Sequence, residues 1–200
     1  MKKIAITGGI GSGKSIACKY IETIGYPVFS CDGIYKEIIN TPAYVAAIAE
    51  RFPAAAVKDK IDRKKLSAIV FNDENALKKL NQISHPLVMR VLDEKMNAQS
   101  SDLVFAEVPL LFEGGFENQF DHILVITRNK EMRIRDIVQR DGLSVLDAEK
   151  RISSQFDYDG LQAQKYFQEK KAYRIENDGS IFQLNEKVRA FIDRLKREYT

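Results

Sequence analysis

Apolar and polar positions along this chain change period several times, and the changes predict its elements. Residues 3–7 are β-branched, short and followed directly by glycines, which predicts a buried strand. From 15 to 25 the residues Ile16, Ala17, Tyr20, Ile21 and Ile24 recur at helical spacing, and Gly25 supplies a stop. A second short strand is predicted at 27–30. Between 33 and 99 helical patterns dominate: 34–40, 43–51, 62–71, and 73 through 84 and on past Pro86. Asp62 and Asp73 stand where they would cap two of these helices. Strand character returns at 103–108 and 122–127, followed by a charged helix at 130–140. Ser144, with Asp147 three residues on, opens another helix to about residue 155. Residues 173–176 are the last predicted strand. An amphipathic helix at 180–198 closes the pattern, with Ile181, Leu184, Val188, Phe191, Ile192 and Leu195 on one face. Strands alternating with helices predict an α/β fold: a parallel sheet with helices on both faces, carrying a helical insert.

Composition narrows this picture. With 200 residues the chain can build one good core and a small inserted lobe. It is 44% hydrophobic and 30% charged, which argues against disorder. The net charge of +3 suits a polyanionic small molecule but falls short of a nucleic-acid binder's basic stripe, so no nucleic-acid partner is expected. Cys18 and Cys31 form no CxxC or Cys/His cluster and read as two reduced thiols. No apolar run approaches the length of a membrane span or a signal-peptide core, so a cytoplasmic location without a membrane partner is expected. Nothing in the pattern selects an oligomeric state.

The sharpest chemistry lies between the first strand and the first helix. Gly8-Gly9-Ile10-Gly11-Ser12-Gly13-Lys14-Ser15 fits the phosphate loop (P-loop) G-x-x-x-x-G-K-[ST]. Glycines let successive N–H groups wrap phosphates, and the following helix aims its positive end at them. ATP is therefore expected along Gly9, Ile10, Gly11, Ser12, Gly13, Lys14, Ser15 and Ile16. Lys14 would reach the β- and γ-phosphates, and the Ser15 hydroxyl would ligate Mg²⁺. A GTPase is disfavoured: Asn129-Lys130-Glu131-Met132 lacks the final Asp of the guanine-reading motif. Asp157-Tyr158-Asp159-Gly160 fits DxxG but follows a helix rather than a strand. A small-molecule kinase fits best, with a nucleotide-binding switch as the rival of another class.

Several charged residues could complete the site. Asp32 follows the second strand, where ligands of open α/β sheets bind. It could act as a general base, organise Mg²⁺ through water, cap the helix expected from Gly33, or combine these roles. Glu107, near the end of its strand, is placed to organise Mg²⁺, also through water. Glu113 is either a solvated loop carboxylate or part of the site. Arg133, Arg135, Arg140 and Arg151, split by Asp141-Gly142, read as a lid that supplies cations and excludes water. Arg151 and Gln155 would share a helix face. His85, before Pro86, is structural or a substrate contact at a proline kink.

Taken in order, these residues resemble the dephospho-CoA kinase family, whose enzymes complete coenzyme A by phosphorylating a ribose 3′-hydroxyl. The resemblance is carried by Ile4-Ala5-Ile6-Thr7 with the phosphate loop, Asp32, Asp62-Arg63 with Leu66 and Val70-Phe71, and His85-Pro86. It continues through Pro109-Leu110-Leu111-Phe112-Glu113, Arg140-Asp141-Gly142-Leu143-Ser144, Arg151-Ile152 with Gln155, and Ile175-Glu176-Asn177. It implies a nucleoside-kinase-like P-loop NTPase fold, with a core over about 1–32, 101–128 and 172–200. It also implies a helical domain over about 33–100 holding the CoA part, and a lid over about 129–171 closing on ATP. ATP would be the co-substrate, Mg²⁺ the cofactor and dephospho-CoA the acceptor. Asp32 would be the base, with Lys14 and Arg140 as catalytic cations and Asn177 near the adenine. His85, Pro109, Leu111 and Glu113 would stand on the acceptor side. Another nucleoside or nucleotide kinase is the nearest alternative. Three positions depart from the family pattern: Glu107 and Asp136 replace the usual Asp and Arg, and Ile16 replaces a Thr. At the second of these, Arg133 or Arg135 could take over.

Overall fold

The computed structural model describes residues 1–57, 60–71, 73–168 and 172–199. Small parts of the ranges expected above, at 58–59, 72, 169–171 and 200, lie outside the described residues. In chain order the elements are β1 (Lys2–Thr7), α1 (Lys14–Thr23), β2 (Val28–Ser30), α2 (Cys31–Ile38), α3 (Pro42–Arg51), β3 (Ala56–Val57), β4 (Lys60–Ile61), α4 (Arg63–Phe71), α5 (Glu74–Asn97), β5 (Leu103–Glu107), β6 (His122–Thr127), α6 (Lys130–Asp141), α7 (Val145–Ser153), α8 (Leu161–Gln168), β7 (Ala172–Glu176) and α9 (Ile181–Glu198). The chain divides into two compact units, Met1–Val28 with Gln99–Thr200, and Phe29–Ala98.

The sheet has the strand order β2-β5-β1-β6-β7. β1 pairs parallel with both β5 and β6, and β6 pairs parallel with β7. Parallel strands joined by helices are buried on both faces, so their sequences need not alternate. Ile4, Ala5 and Ile6 of β1 and Val104, Phe105 and Ala106 of β5 accordingly have no exposed surface. One face meets α1 and α9: Ile4, Ile6, Phe105, Leu124 and Ile126 share a core with Ala17, Ile21, Leu184, Val188 and Phe191. Each of the larger side chains among these, all but Ala17, stabilises the fold by roughly 1.5–3 kcal/mol relative to exposure. The stripe expected on α9 is buried as read, except for Ile181, which is 61% exposed in the first turn of the helix.

In the second unit, α5 runs for 24 residues through Pro86 and packs with α2, α3 and α4. A buried hydroxyl pair, Tyr44 and Ser84 at 2.7 Å, joins α3 to α5. Asp62 accepts from the Lys64 and Lys65 N–H groups, and Asp73 from those of Asn75 and Ala76, so both helix starts are capped where the sequence places them. The cap of α2 differs from expectation. Ser30, in extended backbone, accepts from the Gly33 N–H, and α2 begins at Cys31. Asp32 therefore sits inside the first turn with its carboxylate exposed, not at the N-cap. Among the described residues no helix is long and apolar enough to cross a membrane.

Candidate active site

β1 ends at Thr7, and the chain turns through Gly8–Gly13 before α1 opens at Lys14. Gly13 makes the turn into the helix with φ of +97°, a conformation that L side chains rarely adopt. A Cβ there would also stand 2.3 Å from the Asn177 amide nitrogen. Asn177 is buried and braces the loop from the end of β7: its Nδ2 donates to Ser12 O at 2.9 Å, and its backbone N–H donates to Thr127 O at 2.8 Å. The start of α1 carries no side-chain cap and no acidic residue in its first turn. Its partial positive charge is thus uncompensated, as an anion site requires.

The loop's own side chains face oxygen atoms. Lys14 Nζ donates to the carbonyls of Gly8 and Gly9 at 2.7 and 3.1 Å. The Ser15 hydroxyl donates to Glu107 Oε1 at 3.2 Å, bringing together the two residues expected at a metal. An exposed hydroxyl and a carboxylate are the hard oxygen donors that Mg²⁺ takes, usually with substrate phosphates completing its shell. The pair fits that ion. Among the described residues there is no group of three or more His, Cys, Asp or Glu that would form an all-protein cage.

The first half of the loop is covered by residues from α6 and from the segment after α7. Arg133 Nε donates to Ile10 O at 2.8 Å, and the guanidinium lies where a Gly9 Cβ would be, with Nη2 2.2 Å from that point. Gln155 Oε1 accepts from the Ile10 N–H at 2.7 Å and lies 3.5 Å from Arg133 Nη2. Burial holds the Arg133 guanidinium below its usual pKa. Tyr158 pairs with the Thr7 hydroxyl at 3.1 Å, and burial pushes its phenol up to about 12. Glu113 accepts the Phe156 N–H at 2.9 Å, while the Phe112 ring lies against Phe156 and Tyr166 with centroids 4.7 and 4.6 Å away. Residues 155–158 therefore tie together the loop, the end of β1 and the Pro109–Glu113 segment. Within that segment Leu111 is fully buried and Pro109 partly buried.

Of the remaining arginines expected in the lid, Arg135 is exposed on α6, and Arg140 and Arg151 are engaged elsewhere. Arg140 makes a bidentate pair with Asp141 at 2.7 and 2.9 Å, and Arg151 shares that carboxylate at 3.2 Å. Hydrogen bonding from Arg140 holds the Asp141 carboxyl below its usual range. Asp136 pairs with Arg128. Lys14, Ser15, Glu107, Arg133, Gln155 and Asn177 are thus gathered at the loop, whereas Arg140 and Arg151 are gathered at Asp141. His85 and Asp32 belong to the second unit, on α5 and α2. His85 is half-buried, and burial holds its imidazole below the usual value. Sequence reasoning missed Tyr158, whose only signal was its place in the aromatic run after Gln155.

A loop of this kind serves many kinases, and comparison with known proteins narrows the choice. The dephospho-CoA kinase family model matches residues 2–187. A dephospho-CoA kinase from Fusobacterium nucleatum is 36% identical over 193 residues, covering 95% of this chain and 96% of its own. The crystal structure of TT1252 from Thermus thermophilus superposes with a TM-score of 0.80 at 32% identity, covering 97% of each chain. A dephospho-CoA kinase from Campylobacter jejuni gives 0.62 at 27% identity over 96% of each. Because the likeness runs through the loop, the Pro109–Glu113 segment and α6 and α7 alike, rather than stopping at the shared phosphate motif, the chain belongs to the dephospho-CoA kinase family.

Proposed function

We propose that this protein transfers the γ-phosphoryl group of ATP to the ribose 3′-hydroxyl of dephospho-CoA, giving coenzyme A and ADP. The family match over residues 2–187 carries the reading. The uncapped start of α1, with Lys14 and Ser15 on it, supplies the chemistry. The acceptor oxygen attacks the γ-phosphorus in line, the bond to the bridging oxygen breaks, and that oxygen leaves on ADP. Asp32, exposed in the first turn of α2, takes the hydroxyl proton. The loop from Gly9 to Ile16, through the N–H groups not already bonded within the protein, and Lys14 hold the phosphates, and Arg140 adds charge as the phosphoryl moves. Ser15, with Glu107 through water, would hold Mg²⁺, which neutralises phosphate charge when bound.

We assign the unit Phe29–Ala98 to recognition of the CoA portion, with His85, Pro109, Leu111 and Glu113 on the acceptor side. The region 129–171 acts as the lid, and Asn177 stands towards the adenine. Cys18 and Cys31 are not joined to each other, in keeping with a reducing cytoplasm.

The test couples ADP release to dephospho-CoA and weighs the product for one added phosphate at the 3′ position. Acceptor-dependent turnover supports the reading. ADP appearing at one slow rate with and without dephospho-CoA overturns it and sends the search to nucleosides and nucleotides. In the same assay Asp32→Asn should keep ATP affinity and lose about 10²- to 10⁴-fold in kcat. Unchanged kcat removes Asp32 as the base.

A further inference from the structure

Five arginines from β6 onwards have carboxylate partners: Arg128 with Asp136, Arg140 and Arg151 with Asp141, Arg174 with Asp159 and Glu176, and Arg194 with Glu198. Arg133 differs. It is half-buried, yet among the described residues no carboxylate lies within ion-pair distance of it. Its protein partners are neutral oxygens, the Ile10 carbonyl and the Gln155 carboxamide. A partly desolvated cation without a counter-charge is unfavourable. Its seat is the loop that leads into the positive end of α1, and Asp159 acts on it only from beyond ion-pair distance. Such an arrangement becomes favourable when an anion joins it.

The donor geometry agrees. A guanidinium carries five N–H donors in a planar fork. Nε is spent on Ile10 O, and Nη2 leans towards Gln155 Oε1 at 3.5 Å. The Nη1 pair remains for phosphate oxygens, which the fork suits. Gln155 fixes both sides at once, because one carboxamide oxygen receives the loop N–H and faces the guanidinium. The third neighbour is Gly9, whose missing side chain leaves room for the guanidinium. Asp136, three residues further along α6, is turned to Arg128 and leaves Arg133 unpaired by it.

We propose that Arg133, seated on the phosphate loop by the Ile10 carbonyl and Gln155, donates to the terminal phosphoryl group of the nucleotide and is a catalytic residue of the transfer, with Gln155 as its positioning residue. This deepens the functional reading above and rests on ATP being the phosphoryl donor. It adds no bond to the reaction: Arg133 keeps its protons throughout and stabilises the charge on the moving group.

The experiment measures kcat with dephospho-CoA, and ATP and ADP dissociation constants without it, for wild type, Arg133→Met, Arg133→Lys and Gln155→Leu. Arg133→Met should lower kcat about 10²- to 10³-fold, the range for losing one pre-organised transition-state donor. It should also weaken ATP binding more than ADP binding, because ADP lacks the group contacted. Arg133→Lys should restore part of both effects, since the charge stays and the fork is lost. Gln155→Leu should narrow the preference for ATP over ADP in the same direction. A role in folding alone would weaken both nucleotides equally. Equal weakening, or kcat within about threefold of wild type in Arg133→Met, overturns the proposal. If Arg133→Met does not fold, Arg133→Lys and Gln155→Leu decide it by the same ATP-to-ADP ratio. The binding arm needs no acceptor, so ATP selectivity through Arg133 in a protein inert towards dephospho-CoA would sink the acceptor alone. Acceptor-dependent turnover unchanged by Arg133→Met would sink this inference alone.

Discussion

Gly9 carries no side chain, and the Arg133 guanidinium occupies the place where one would begin, 2.2 Å from the would-be Cβ. The backbone of Gly9 lies outside the left-handed region, so alanine fits the chain there and conflicts only with the guanidinium. Gly9→Ala should therefore leave the thermal midpoint near wild type and lower kcat towards the level of Arg133→Met. A wild-type kcat in Gly9→Ala would show that the guanidinium works equally well displaced. Gly13→Ala is the contrast, since φ of +97° and the approach of Asn177 both oppose it. At this scale the loop was legible in the sequence because spacing alone dictates its chemistry: Lys14 and Ser15 follow the glycines, and Glu107 ends its strand. Arg133 was not legible as the arginine at the loop. Four arginines on two charged helices look equivalent until distances separate Arg133, facing a carbonyl, from Arg140 and Arg151, facing a carboxylate.

Helices differ in how plainly their sequences announce them. α9 was legible from its apolar stripe, and its start is fixed by a full capping box that the stripe does not reveal. Ser180 Oγ accepts from the Gln183 N–H while the Gln183 side chain accepts from the Ser180 N–H. Ser180→Ala should cost about 0.5–2 kcal/mol, read as a lower urea midpoint at unchanged slope; a midpoint equal to wild type would mean the packed face alone holds the helix. α8, by contrast, has one buried residue, Ala163, in the run LQAQKYFQ, and offers no stripe to read. β3 and β4 pair antiparallel over two residues each, too short for any period to appear. The start of α2 was misplaced for a different reason. Ser30 and Asp32 are both good capping residues, and only backbone geometry chooses between them.

Across the whole molecule the two histidines give a common response to acid. Burial holds both His85 and His122 below the ordinary imidazole value of 6.5, although Glu198 and Asp121 pull His122 partly back. Their folded pKa values lie below the unfolded ones, so the unfolded chain takes up protons first. Stability is then greatest above the ordinary value and is lost as pH falls through the folded values. The thermal midpoint should drop from about pH 7 to about pH 5, and His85→Gln and His122→Gln should each flatten that drop. If neither does, carboxylates set the acid limit instead. The parallel sheet was legible as a whole because strand and helix periods alternate. The division at Val28 and Gln99 shows in the sequence only as a change from alternating to helical pattern. The seat of Arg133 on Gly9 has a consequence for descent as well. Ile10 and Arg133 are 123 positions apart, yet the seat makes residue 9 and residue 133 one inherited choice. Related chains with arginine at the second position should keep glycine at the first, and chains that have lost the arginine are released to vary there. An alignment would record that dependence as covariation between the phosphate loop and α6.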